Sequence, residues 1–171
     1  MKIRRPRLQD GFTLVELLIV VVILGVLAAI AIPQFSASTD DSKAAALDST
    51  LSNLRTAIEL YYQQHGSYPS AVAAGGAFGA INTEAAFRDQ LVNYTSAAGA
   101  ASTTKDTTTY KYGPYLKKST IPADPIKNVA TVEVITTGTL GMTATSGDPG
   151  GWKFDNKTGQ LIVNIAAYQS R

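Results

Sequence analysis

Glu16 is the one charged side chain in a long apolar stretch, because no ionisable residue follows it from Leu17 through Thr39. A carboxylate at the edge of a membrane span needs a cation, so it marks a functional site by default. A simpler role competes: an acid in the first helical turn is favoured by the helix dipole. His65 is the only histidine. It has the chemistry of a metal ligand or a pH sensor. With no cysteine and no second histidine to complete a soft metal site, it is expected instead to be a polar residue of a last helical turn, facing free carbonyls. No Ser-His-Asp motif, phosphate-cradling glycine loop or HExxH is present. Gly75, Gly76 and Gly79 have no strand before them. No enzyme is expected.

The element that carries Glu16 is a helix. At about 1.5 Å per residue, the charge-free run reaches roughly 35 Å, enough to cross a hydrocarbon core. It is entered through a stub with Lys2, Arg4, Arg5 and Arg7 against Asp10. Basic residues beside a span hold that end in the cytoplasm. The stub has no apolar core of its own and no small-residue cleavage motif follows the span, so any removed piece is the stub. Beyond Asp40 and Asp41, the residues Leu47, Leu51, Leu54, Ile58 and Tyr61 recur at helical spacing, opposite Asp48, Ser52, Arg55, Glu59 and Gln63. Arg55 and Glu59 have the spacing of an i, i+4 ion pair. Gly66 and Pro69 end the pattern. One helix is expected from about Phe12 to His65. Gly25 and Pro33 soften its first half, since proline removes a donor and glycine weakens a helix interior.

The remainder reads as a small head. Residues 70–82 form a loop, and Asn82 or Thr83 caps a short helix with Phe87, Leu91 and Tyr94 on its apolar face. Residues 97–109 read as an exposed loop whose hydroxyls are able to accept O-linked sugars. A turn-rich connector follows, pinned by Tyr112, Tyr115, Leu116 and Ile121. Residues 130–136 read as a strand. Residues 151–154 and 160–165 flank a turn at Asp155–Gly159 and form a hairpin. The fold class is α+β: one long N-terminal helix, its first half transmembrane, packed on a small antiparallel sheet.

The segment GFTLVELLIVVVILGVLAAIAIPQF resembles the N-terminal signature of type IV pilins and of the pseudopilins of type II secretion. GPYLKK and GWKFDNKTGQLIVN are similar to segments of the pseudopilin branch. The resemblance implies cleavage after Gly11 by a prepilin peptidase, N-methylation of Phe12, and pairing of Glu16 with the Phe12 amine of a neighbouring subunit. It implies local unwinding between Gly25 and Pro33 on assembly. It divides the chain into a cleaved leader (1–11), a long helix (12–66, about 12–39 transmembrane and then filament core) and a head (67–171). Implied partners are further copies in a helical filament, the peptidase, an inner-membrane assembly platform, and lipid before assembly. The implied locations are the bacterial inner membrane, then a surface filament or a periplasmic pseudopilus. Pseudopilins hold calcium in a C-terminal loop. Here the calcium candidates are Asp124, Asp148 and Asp155, although Asp148-Pro149 also reads as a turn and Asp155 as part of the hairpin. No other cofactor is expected.

Without the stub, the 15 Lys+Arg fall by four and the 13 Asp+Glu by one, so the formal charge of +2 becomes −1. No nucleic-acid footprint remains in that balance. The absence of cysteine excludes a disulfide staple, so hydrogen bonds, packing or a metal must hold the C-terminal region. Two filament readings stay open, a surface pilus and a secretion pseudopilus. A non-polymerising membrane-anchored binding domain is the alternative of a different class.

Overall fold

The computed structural model describes residues 11–171, apart from the side chains of residues 31–37. Contacts divide it into two compact units, one ending at Ser42 and one covering Lys43–Arg171. The helix α1 (Leu14–His65) contributes to both. Its C-terminal stop is at Gly66, whose φ of 67° suits a residue without a Cβ and whose N–H donates to Tyr62 O at 2.8 Å.

In the first unit the described side chains from Phe12 to Ile30 are exposed on every face of the helix. Among the described residues no helix is long and apolar enough to cross a membrane. The expected span from Leu17 to Thr39 runs through residues 31–37, so that expectation, and the one for Pro33, lie outside the described side chains. The leader expected at residues 1–11 lies outside the described residues except for Gly11.

The second unit is built on the expected stripe. Leu47, Leu51, Leu54, Ile58 and Tyr61 are all buried. They share one core with Phe87, Leu91, Ile121, Val132, Trp152, Phe154, Leu161, Val163 and Ile165. Helix α2 (Glu84–Val92) is capped by Thr83, whose Oγ1 accepts the Ala86 N–H. Tyr94, expected on that helix, instead starts β1 (Tyr94–Thr95), which pairs antiparallel with β2 (Ala101–Ser102). The expected loop at 97–109 is therefore partly ordered ribbon, with Ala101 buried against Ala74 and Ala86. The connector is pinned as expected by Tyr115, Leu116 and Ile121.

The main sheet has the order β3 (Val132–Ile135), β4 (Trp152–Asp155), β5 (Leu161–Val163). The β4–β5 hairpin is antiparallel, as expected. β3 and β4 are parallel, which corrects the all-antiparallel expectation. The reason is the connection: parallel neighbours need a crossover of a dozen residues or more, and 136–151 supplies one. One row across the sheet, Val132, Trp152 and Val163, faces the core. The other row is Glu133, Lys153 and Ile162.

Side chains fasten the crossover to that second row and its neighbours. Asp155 accepts from Thr137 Oγ1 and Gly138 N–H, both at 2.8 Å. Gln160 accepts the Met142 N–H and Gln169 the Ala144 N–H. Thr145 donates its N–H to Asn164 and its hydroxyl to Glu133, while Lys153 donates to Thr145 Oγ1. Hydrogen bonds and packing thus do the holding that cysteines cannot do in this chain.

Candidate functional site

The first helical turn presents Glu16 through its own backbone. Thr13 stands just before α1 and Glu16 is the third helical residue. The Thr13 N–H and hydroxyl both donate to Glu16 Oε2, at 2.9 and 2.8 Å. The Glu16 N–H returns a bond to Thr13 Oγ1 at 3.2 Å. This is a capping box, which satisfies two otherwise orphaned donors reciprocally. The sequence carries its signal as Thr13-x-x-Glu16, a threonine three residues before the acid. The box fixes the carboxylate against Thr13 and leaves Oε1 without a hydrogen bond among the described residues. An outside cation can reach that oxygen without dismantling the cap.

Phe12 is 75 % exposed and Leu14 81 %, and the apolar surface continues to Ile30. A continuous apolar surface of that kind marks a membrane or protein contact. Gly25 lies within α1 with open space where a Cβ would be.

The other sequence candidates sit elsewhere and do not meet. His65 ends α1, but its ring faces other partners than helical carbonyls. Nδ1 lies 3.4 Å from Ala97 O, and Nε2 lies 3.0 Å from Thr95 Oγ1 and 2.9 Å from the Tyr115 hydroxyl. Tyr61 lies against it in a tilted pair with ring centroids 4.1 Å apart, and Tyr112 and Tyr115 meet it edge-on. Burial pulls the imidazole pKa down, and the Ala97 carbonyl only partly opposes it.

Asp124 is fully buried. Its carboxylate accepts N–H bonds from Ile126, Lys127, Val129 and Gly151, at 2.7 to 3.1 Å. Asp148 accepts the Ala166 N–H on its carboxylate and the Lys127 ammonium on its carbonyl. Asp155 serves the crossover and also takes the Lys157 N–H at the hairpin turn. Among the described residues no three acidic, cysteine or histidine side chains converge on a metal-sized space. Arg55 does not meet Glu59; its guanidinium turns to the carbonyls of Leu161 and Arg171. That partner lies far along the chain, beyond the reach of a helical pairing rule.

Comparison with known proteins bears on the first helical turn. Residues 6–32 match the prokaryotic N-terminal methylation motif. The type II secretion system core protein G of Pseudomonas aeruginosa is 39% identical over 64 residues, 37% of this chain and 45% of that protein. The core protein G of Aeromonas hydrophila is 28% identical over 157 residues, 86% of this chain and 95% of that protein. A type IV major fimbrial protein FimA of Dichelobacter nodosus is 54% identical over 52 residues, 30% of this chain and 33% of that protein. The chain thus spans less than half the length of the Pseudomonas and Dichelobacter relatives. No solved structure matches it. The motif and the relatives agree in one direction: the chain carries the prokaryotic N-terminal methylation motif and is similar to type IV fimbrial proteins and to the core protein G of type II secretion.

Proposed function

We propose that this protein is the structural subunit of a type IV filament. It waits in the bacterial inner membrane, is cut after Gly11 by a prepilin peptidase and methylated on Phe12, and is then stacked helically through α1. An assembly platform in the inner membrane drives that step, and copies of the same helix replace lipid. The observation that carries this reading is the first half of α1. From Leu14 to Ile30 its side chains are apolar and exposed on all faces, with the boxed carboxylate of Glu16 as the only charge. A helix that is apolar all round needs burial in lipid or among other helices. In the second setting the Phe12 amine of one copy lies against the Glu16 carboxylate of the next, which neutralises both away from water. Replacing Glu16 by alanine is expected to abolish filaments while precursor still accumulates in the membrane. Normal filament yield from Glu16→Ala would refute the pairing.

A secretion pseudopilus is the second reading. It is favoured by the Aeromonas core protein G, whose likeness extends over the head as well as the helix. Electron microscopy of sheared cell surfaces separates the two: long surface fibres support the pilus, and their absence supports the pseudopilus.

A further inference from the structure

The head carries an apolar knob and an amphipathic groove that share no residue. The knob is Leu140, 82 % exposed, at the tip of the 136–151 crossover between the left-handed glycines Gly138 and Gly141. A lone exposed leucine is ordinary. This one is held out on a fastened loop, because the Gly138 N–H is tied to Asp155 and the Met142 N–H to Gln160 on either side of it. Lys157 packs beside its base, with its aliphatic stem 3.3 Å from where a Gly138 Cβ would be. The groove runs along the second half of α1 with a volume of about 620 Å³. Leu51 and Leu60 supply its apolar wall, and Asp48, Arg55, Glu59 and Arg171 its charges. Leu60 is 43 % exposed.

The charges complement each other between these two surfaces. Asp48 is paired with Arg171, and Arg55 is spent on carbonyls. Glu59 and Lys157 join no ion pair among the described residues. We propose that Leu140 of one copy of this chain seats against Leu60 in the groove of a second copy, with Lys157 of the first facing Glu59 of the second. The inference rests on the filament reading and adds to it the surfaces through which heads meet. Knob and groove are different patches, so the contact is head-to-tail and generates an open array, not a closed pair.

The test uses the full-length chain, which has no native cysteine. Filaments are co-assembled from Leu140→Cys chains and Leu60→Cys chains, then mildly oxidised. A covalent dimer in the mixture, at least tenfold above either variant assembled alone, is the expected result. Lys157→Glu on the Leu140→Cys chain should lower that yield severalfold, and Glu59→Lys on its partner should restore it. Filaments that form normally but give no dimer, or a dimer from Leu140→Cys alone, overturn the contact. If the unmodified chain forms no filament, the reading beneath it falls as well.

Discussion

At the residue scale the head is held by carboxylates and amides aimed at backbone donors. Asp124 is the clearest case: one buried carboxylate takes N–H groups from the turn that follows it and from Gly151, beside β4. Truncation to alanine strands these donors out of water. With about 1–3 kcal/mol for each buried unsatisfied group and partial rescue by water, Asp124→Ala should cost about 4 kcal/mol, read as a lowered denaturant midpoint of the chain in detergent. His65 gives a pH dependence. Its folded pKa lies below the ordinary histidine value because burial disfavours the cation. The unfolded chain therefore binds the proton more readily, and stability falls as pH drops below about 6.5. Near the imidazole are Tyr61, Tyr112 and Tyr115, with Lys111 over the far ring of Tyr112, and none of these contributes a negative charge to hold the cation. His65→Gln should flatten the melting temperature between pH 7 and pH 5.5. Glu133 behaves differently: burial opposes its ionisation, but bonds from Thr145 and Asn164 and the Lys153 charge prevail and hold its pKa below the ordinary value. Its contribution is present above the usual carboxylate range and lost only as pH falls through it.

At the element scale the long helix was legible and the sheet only half so. The Leu47 to Tyr61 stripe and the Gly66 stop specify α1 because burial and a left-handed stop leave period and position readable. The hairpin was legible through its Asp155 to Gly159 turn. The β3–β4 direction was not, because strand alternation carries no information about the neighbour's sense; only the length of 136–151 hinted at it. β1 and β2 are two-residue strands of Tyr-Thr and Ala-Ser, too short to show a period. Thr13 and Glu16 had a recognisable capping spacing, whereas the Arg55 to Leu161 bond joins residues that sequence spacing does not relate. The hairpin also has a steric test. Gly159 has a φ of 75°, and a Cβ there would lie 2.3 Å from the Tyr68 ring. Gly159→Ala should destabilise the head by about 2 kcal/mol through backbone strain and displacement of Tyr68, visible as a drop in melting temperature with α1 helicity retained.

At the scale of the whole molecule, the chain is a head with an ordered core and a helix whose first half, taken alone, satisfies none of its apolar surface. That asymmetry is what a subunit needs if it is to trade lipid for copies of itself. The likeness to known proteins is unequal in extent, covering 37% and 30% of the chain for the Pseudomonas and Dichelobacter proteins and 86% for the Aeromonas protein. The most direct test is the intact mass of the polypeptide in the sheared, sedimentable fraction from producing cells. A filament subunit gives a chain that begins at Phe12 and carries one added methyl group. A chain that still begins at Met1, recovered only from the membrane and never in a sedimentable fibre, would contradict the account.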